Sequence, residues 1–105
     1  KVQAMRKLYN ITVKIGYPDK WKDYTTMELD PEKSFYENRH NATMWHQNEM
    51  LKKWGKPVDK SEWGMTPQTI NAYYNPVANE IVFPAGILQA PFFSPESSDA
   101  ENEGV

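Results

Sequence analysis

The chain has 105 residues, of which 39% are hydrophobic and 13% aromatic, with a net charge of −2 and no cysteine. This length allows one small domain or part of a larger one. The lack of cysteine excludes disulfides and thiolate metal sites. Asp and Glu interrupt the basic residues throughout, so we predict no nucleic-acid binding. No apolar run approaches the roughly 18 residues of a transmembrane helix, so we predict no membrane-spanning segment.

The beginning of the chain carries the patterns of a helix and a strand. Val2 to Tyr9 is compatible with the end of a helix. Ile11, Val13 and Ile15 then alternate with polar residues, and this period of two with β-branched side chains is typical of a strand. We identify no internal repeat along the sequence.

A long helix is predicted in the middle of the chain. Asp30 can cap free backbone N–H groups, and Pro31 suits the first helical position. The helix is expected to run to about Trp54, because Gly55 follows as a helix terminator. Its apolar side chains are expected to serve core packing.

The two histidines do not predict a metal site. His40 and His46 are six positions apart on the predicted helix and therefore point to different faces. Zinc-binding helices place two histidines four positions apart, and a catalytic zinc needs three protein ligands. We therefore predict surface or packing roles for both histidines, and neither a catalytic nor a metal-binding residue in this chain.

A β-hairpin is predicted between residues 69 and 83. The segment from Thr69 to Tyr74 resembles a strand, Asn75 to Asn79 has the composition of a turn, and Glu80 to Phe83 resembles a second strand. Pro84 is expected to weaken the pairing, because it has no N–H to donate. The predicted fold class is thus α+β: one long helix with an antiparallel β-hairpin, and Ile11 to Ile15 as a candidate third strand.

Asn71 is unusual within the first predicted strand, because Asn is depleted in strands. Two interpretations remain open from the residues alone. Asn71 is either a turn or bulge residue, or it lies on an exposed strand edge where an extended peptide can pair. In the second case its side chain offers both a donor and an acceptor to a peptide backbone.

The end of the chain differs in composition from the rest. From Ser94 onward it is rich in Ser and acidic residues and nearly lacks apolar side chains. We therefore divide the chain into a folded part, residues 1–93, and an acidic tail, residues 94–105, which we expect to be disordered in isolation.

Several segments together resemble one known family in the same order along the chain. The sequence is similar to the neprilysin, endothelin-converting-enzyme and oligopeptidase O family of zinc metalloendopeptidases. Its residues resemble those of bacterial members more than those of animal members. The similar segments are Ile15–Trp21, Val58–Trp63, Thr66–Pro76, Asn79–Gln89 and Pro91–Phe93.

The resemblance implies a role for four residues in substrate binding. The Asn-Ala pair of this family binds the substrate backbone on the leaving-group side, which implicates the Asn71 side chain and the Ala72 main chain. Ile87 and Phe92 align with apolar residues that help line the pocket for the first side chain after the cut bond. The resemblance assigns no role to the tyrosines that follow Ala72.

The resemblance also implies what lies outside this sequence. A helix with the pattern G-H-E-x-x-H normally follows the P-F-F stretch, and its two His and a downstream Glu hold zinc. None of these residues is present here, so the chain is expected to be a fragment that ends before the zinc-binding helix and is inactive alone. Zinc is the expected cofactor of the parent enzyme, and none is expected in this fragment.

The function expected from the resemblance is therefore part of a zinc-dependent metalloendopeptidase that aligns peptide substrates through an edge strand. Its partners would be the peptide substrate and the remainder of the peptidase chain. The alternative is a non-catalytic module that binds extended peptides by strand addition. Absence of cysteine does not fix the compartment. Among the bacterial compartments, we expect the periplasm or cell envelope in preference to the cytoplasm.

Overall fold

The computed structural model describes residues 1–104, so Val105, the last residue of the predicted tail, lies outside the described residues. The chain forms two compact units. One combines Lys1–Lys20 with the segment from Lys60 onward, and the other is the intervening segment Trp21–Asp59. The mixture of helices and a small sheet confirms the α+β prediction.

Seven elements follow one another along the described chain. None of the helices in residues 1–104 combines the length and apolar character needed to cross a bilayer. The elements are helix α1 (Val2–Tyr9), strand β1 (Thr12–Gly16), helix α2 (Phe35–Leu51), strand β2 (Tyr73–Asn75), strand β3 (Glu80–Pro84), a 3₁₀-helix (Ala85–Ile87) and helix α3 (Asp99–Glu103).

Helix α2 is shorter than predicted at both ends, so the predicted bounds are wrong. Its N-cap is Ser34, which forms a capping box with Glu37. In such a box the Ser hydroxyl accepts the Glu backbone N–H and the Glu carboxylate accepts the Ser backbone N–H, so two free donors are satisfied together. Asp30 instead accepts the backbone N–H of Glu32 and lies in the turn before the helix. The helix ends at Leu51, and Gly55 takes a left-handed φ of 73° in the turns that follow.

The capping box makes the start of α2 sensitive to pH. Hydrogen bonds from the Ser34 side chain and backbone lower the pKa of Glu37 from its ordinary value of 4.5. A depressed pKa in the folded state means that the ionised form stabilises the fold. This contribution is complete above about pH 4.5 and is lost as the pH falls through the lowered folded pKa.

We expect Ser34→Ala to return the pKa of Glu37 toward its ordinary value, because both the hydroxyl donor and the cap geometry are lost. The measurement is a carbon-detected NMR titration of the Glu37 carboxyl group in both proteins. A matched control is Thr43→Ala, because the Thr43 hydroxyl bonds only to a backbone carbonyl of the preceding turn, that of Arg39. An unchanged Glu37 titration in Ser34→Ala would show that the capping box does not set this pKa.

The sheet has three strands in the order β1-β3-β2. Strand β3 pairs with β2 in antiparallel fashion, which confirms the predicted hairpin. It also pairs with β1 in parallel, with Thr12 opposite Glu80 and Gly16 opposite Pro84. The candidate third strand is therefore real, and the pairing extends to Pro84 before β3 ends. Within the described residues β2 pairs on one side only and is an edge strand.

The hairpin differs from the prediction in the position of its first strand. Strand β2 begins at Tyr73, so the predicted strand from Thr69 is too long. The turn is stabilised by Asn75, whose Oδ1 accepts the N–H groups of Val77 and Ala78 at 3.1 and 3.3 Å. Asn79 closes the turn with a left-handed φ of 51°, a conformation that Asn tolerates better than most residues.

One face of the sheet carries the small core of this unit. Alternate residues of β3 are buried on that face, namely Glu80, Val82 and Pro84. Thr12 of β1 is the partner of Glu80, and Lys14 lies two residues after Thr12. Lys14 therefore projects from the same face of the sheet, because side chains alternate along a strand. Its Nζ lies 2.7 Å from Oε2 of Glu80. A charged pair therefore takes part in the core of this sheet.

The same lysine also fixes the chain that precedes the hairpin. Lys14 Nζ donates to the backbone carbonyl oxygens of Lys60 and Glu62. The side chain of Lys14 is 13% exposed and that of Glu80 is 5% exposed, so the ion pair is largely shielded from water, whereas Lys60 and Glu62 are exposed. One ammonium group thus holds three oxygens from two separate segments.

The segment after residue 93 contains a short helix. Ser98 forms a capping box with Glu101 and begins α3, a short helix in the part of the predicted tail that the structure describes. Backbone and side-chain hydrogen bonds from Ser98 lower the pKa of Glu101 below its ordinary value, as in the first capping box. The expected mobility of this tail in the isolated chain concerns motion and stays a prediction.

Candidate peptide-binding site

Asn71 and Ala72 lie in an extended connection immediately before β2. Asn71 is exposed and Ala72 is half-buried. The backbone N–H of Asn71 donates to the carbonyl of Thr69 at 3.0 Å. The Asn71 Oδ1 accepts the N–H of Ala72 at 2.8 Å. Asn71 therefore lies outside β2, in the connection before it, and the predicted strand from Thr69 does not include it. Its role toward a peptide stays a prediction.

The carboxamide of Asn71 is held in a defined orientation by this bond. Its Oδ1 has a second lone pair, and its Nδ2 group has two N–H donors. Within residues 1–104, Nδ2 has no hydrogen-bond partner. The side chain therefore offers both a donor and an acceptor toward solvent next to the open edge of β2.

Ile87 lies at the end of the 3₁₀-helix that follows β3, and it is half-buried. The backbone of this short helix is fixed against the segment that leads to Asn71. The N–H of Gly86 donates to the carbonyl of Pro67 at 2.8 Å. A Cβ at Gly86 would lie only 2.7 Å from the carbonyl oxygen of Gln68, so only glycine fits this approach without a shift of the backbone.

Phe92 lies in the turn after the 3₁₀-helix and is 42% exposed. The carbonyl of Gln89 accepts the backbone N–H groups of both Phe92 and Phe93, at 2.9 and 3.1 Å. This pair of bonds fixes the turn on its N-terminal side. The aromatic side chain of Phe92 therefore extends from a constrained backbone.

A shallow depression lies where the two segments meet. Ile70, which precedes Asn71, and Gly86, which precedes Ile87, are both part of its lining. The residues that directly precede Asn71 and Ile87 in the sequence thus line the same depression. None of the four predicted residues is itself part of that lining, which consists of Pro67, Gln68, Ile70, Ala85, Gly86 and Gln89.

The structure shows roles for two tyrosines that the sequence analysis left unassigned. The Tyr73 hydroxyl accepts the backbone N–H of Gly64 at 2.7 Å. The Tyr74 hydroxyl donates to Oδ1 of Asn79 at 3.0 Å. Both therefore fix the edge strand, one to the preceding segment and the other to the hairpin turn. The sequence gives no signal for these pairings, because their partners are a backbone N–H and a turn residue.

The described residues do not provide a zinc site. Within residues 1–104 no group of three His, Cys, Asp or Glu side chains could hold a metal ion. His40 lies parallel to the ring of Tyr36 at 6.4 Å, and His46 makes an edge contact with Trp45 at 5.1 Å. Both histidines are exposed and make these ring contacts, in agreement with the surface or packing roles predicted for them. The zinc expected in the parent enzyme therefore does not fit a donor set in this part of the chain.

We expect the 105-residue chain alone to bind zinc more weakly than micromolar and to hydrolyse no peptide. The physical reason is the lack of three convergent ligands. Calorimetric titration with zinc, together with a fluorogenic peptide assay, measures both properties. Stoichiometric binding tighter than micromolar, or turnover that persists through purification controls, would contradict this expectation.

Comparison with known proteins identifies the family. Residues 71–105 match the model of peptidase family M13, and the match begins at Asn71. The neutral endopeptidase of Lactobacillus helveticus is 44% identical over 105 residues, covering 99% of this chain and 16% of that protein. Neprilysin-3 of Drosophila melanogaster is 40% identical over 110 residues, covering 98% of this chain and 14% of that protein. The chain belongs to peptidase family M13.

Solved structures of the M13 family support the same assignment. A Mycobacterium tuberculosis zinc metalloprotease in complex with an inhibitor matches with a TM-score of 0.84 and 48% identity. PepO of Lactobacillus rhamnosis matches with a TM-score of 0.88 and 36% identity. Each match covers 98% of this chain and 16% of the other. The chain thus spans about a sixth of the length of these M13 relatives.

Proposed function

We propose that this chain is the substrate-aligning part of a zinc metalloendopeptidase that hydrolyses peptides. The observation that carries the proposal is the Asn71-Ala72 pair, with Asn71 exposed and Ala72 half-buried, which directly precedes the edge strand β2. The pair lies within residues 71–105, the segment that matches the model of peptidase family M13. Relatives described as neutral endopeptidase and as zinc metalloprotease support the reaction class.

The edge of β2 can bind an extended peptide by main-chain pairing. An edge strand presents unpaired N–H and C=O groups, and a peptide that lies alongside it adds a further strand. The tyrosine hydroxyl bonds keep this edge in place before the peptide arrives. A binding edge that is already ordered loses less conformational entropy on binding.

Asn71 extends the binding edge beyond β2. Its carboxamide is oriented by the N–H of Ala72, and its free Nδ2 can donate to a peptide carbonyl. The second lone pair of Oδ1 can accept a peptide N–H at the same time. Two hydrogen bonds to one peptide unit fix the register of the substrate without reading its side chains.

Ile87 and Phe92 supply apolar surface for the side chain that follows the cut bond. Ile87 is half-buried in the 3₁₀-helix, and Phe92 is partly exposed in the next turn. Both are attached to backbone that is fixed by hydrogen bonds, those of Gly86 and of the Gln89 carbonyl. Ligand sites usually combine apolar side chains with a few polar groups that fix the orientation of the ligand.

The chemistry of bond cleavage belongs to residues outside the described chain. We propose neither a zinc ligand nor a catalytic residue in this segment. The contribution of the segment is to align the substrate. Within the bacterial cell, we propose the periplasm or envelope as the compartment, as inferred above.

The test uses the full-length protein that contains this chain. Purified protein is expected to cut internally quenched peptides at internal bonds, to lose this activity on dialysis against a zinc chelator, and to regain it on addition of zinc. Binding of extended peptides without cleavage would instead support the strand-addition module. Reading the gene beyond Val105 for an H-E-x-x-H pattern is an independent check.

A further inference from the structure

A nine-residue motif occurs twice in the chain, which corrects the conclusion that the sequence has no internal repeat. Residues 30–38 read D-P-E-K-S-F-Y-E-N and residues 94–102 read S-P-E-S-S-D-A-E-N. The two copies share Pro, Glu, Ser, Glu and Asn at the same positions. The first copy starts α2 and the second starts α3, each within its own compact unit.

The two copies have the same hydrogen bonds at their helix starts. In each, the motif's fifth residue, Ser34 or Ser98, forms a capping box with a Glu three positions later. In each, the side-chain oxygen of the first residue, Asp30 or Ser94, accepts the N–H two positions later, at 2.9 and 3.3 Å. The motif is thus a defined local structure as well as a pattern of letters.

The last residue of the motif, an Asn, closes the structure onto the first residue. The N–H of Asp30 donates to Oδ1 of Asn38 at 2.9 Å, and Nδ2 of Asn38 donates to the Asp30 carbonyl at 2.7 Å. In the second copy the N–H of Ser94 donates to Oδ1 of Asn102 at 3.1 Å, and Nδ2 of Asn102 donates to the Ser94 carbonyl at 2.8 Å. We call each such pair of bonds an Asn clamp.

The second Asn clamp begins two residues after Phe92 in the chain, at Ser94. The clamp therefore fixes the backbone on the C-terminal side of the turn that carries the ring. The Gln89 carbonyl fixes the same turn on its N-terminal side. Ser94 and Asn102 are both half-buried, which shields the two clamp bonds from competing water. Phe92 is therefore held between two backbone anchors.

We propose that Asn102 is a positioning residue that orients Phe92 in the pocket for the first side chain after the cut bond. This inference rests on the proposed function, because it takes the pocket role of Phe92 from there. Asn102 acts through the Ser94 backbone and does not itself touch substrate. Loss of the clamp frees one side of the Phe92 turn and changes selectivity at this pocket.

The test compares Asn102→Asp with Asn38→Asp in the full-length protein. Each variant keeps an acceptor for the clamped N–H and replaces the Nδ2 donor with an oxygen that repels the clamped carbonyl. The measured quantity is the ratio of kcat/KM for two peptides that differ only in Phe or Ala after the cut bond. We expect Asn102→Asp to lower this ratio about tenfold. Asn38→Asp should leave the ratio unchanged within about twofold, because it breaks the same structure in the other unit.

Hydrogen exchange provides a second measurement that does not need activity. The Ser94 amide is expected to exchange faster in Asn102→Asp, and the Asp30 amide faster in Asn38→Asp. In the unmodified protein, a synthetic product peptide that begins with Phe should slow exchange at Ser94 and not at Asp30. This arm applies also if Asn102→Asp does not fold.

The outcomes separate the inference from the proposed function. An unchanged selectivity ratio in an Asn102→Asp protein with a faster Ser94 amide would overturn the positioning role. An equal change of ratio in Asn38→Asp would do the same, since it would indicate a general loss of stability. If the unmodified protein cuts no peptide, the proposed function fails, and the inference is then decided by whether the Phe peptide slows exchange at Ser94.

Discussion

Replacement of Lys14 by Met is expected to destabilise the unit that contains the sheet by about 3–5 kcal/mol, the range for removing one partner of a buried ion pair. Glu80 is left as a buried carboxylate without its counter-charge, on a side chain that is 5% exposed. The carbonyl oxygens of Lys60 and Glu62 lose the same donor. The loss of these two bonds places the expected cost toward the upper end of that range.

The converse change, Glu80→Gln, is expected to cost less, about 1–2 kcal/mol. The ammonium group of Lys14 keeps two carbonyl acceptors in this variant. Amide hydrogen exchange at β1 and β3 in the full-length protein measures the local free energy of opening. The control is Lys52→Met, which removes an exposed pair with Glu49 and should cost at most about 1 kcal/mol. Equal effects of Lys14→Met and Lys52→Met would refute the role of the buried cluster.

Replacement of Asn71 by Ala is expected to lower kcat/KM by roughly 5- to 150-fold in the full-length protein. The variant cannot make the two hydrogen bonds proposed between Asn71 and the peptide backbone. Each is worth about 0.5–1.5 kcal/mol, and the sum of about 1–3 kcal/mol of transition-state binding gives this range. The melting temperature should change little. Asn71 is exposed, and its hydrogen bond to Ala72 is local.

Asn75→Ala is the matched control for Asn71→Ala. Asn75 lies four residues later, and its side chain accepts two backbone N–H groups of the hairpin turn. Its loss should lower the melting temperature, and kcat/KM of the folded protein should fall less than in Asn71→Ala, because Asn75 is at the other end of β2 from Asn71. Steady-state kinetics and thermal melts of both variants separate the two roles. A destabilised Asn71→Ala protein with parent-like kcat/KM would identify Asn71 as a structural turn residue.

Local patterns in the sequence predict the elements of this fold better than their bounds. The alternation around Val13 specifies β1, because period-two spacing with β-branched residues has few other solutions. The start of α2 differs from the prediction because the cap is Ser34 and not Asp30, which lies four residues earlier. Only Ser34 has a Glu three positions later, and the reciprocal bonds of the capping box decide between them.

The sheet topology and part of the site depend on contacts that are distant in sequence. Nothing local in β1 specifies a parallel pairing with β3, because the two strands are separated in sequence by the whole segment Trp21–Asp59. The resemblance implies a substrate-binding role for Asn71, which stays a prediction. Neither the resemblance nor the local pattern predicts that the Asn71 side chain bonds to the next N–H and that the strand starts only at Tyr73. The Asn102 clamp was missed because composition alone described its segment as a tail.

The parallel pairing of β1 with β3 also sets the order in which this protein can fold during synthesis. Thr12 can pair with Glu80 only after Glu80 has been synthesised, and about 70 residues separate the two. At roughly 5–20 residues per second, a ribosome takes about 4–14 s to add that length. The segment Trp21–Asp59 emerges within this interval as a compact unit of its own and can fold first. Until then Val13 and Ile15 have no strand partner, so a nascent chain stalled before β3 is the form most in need of a chaperone.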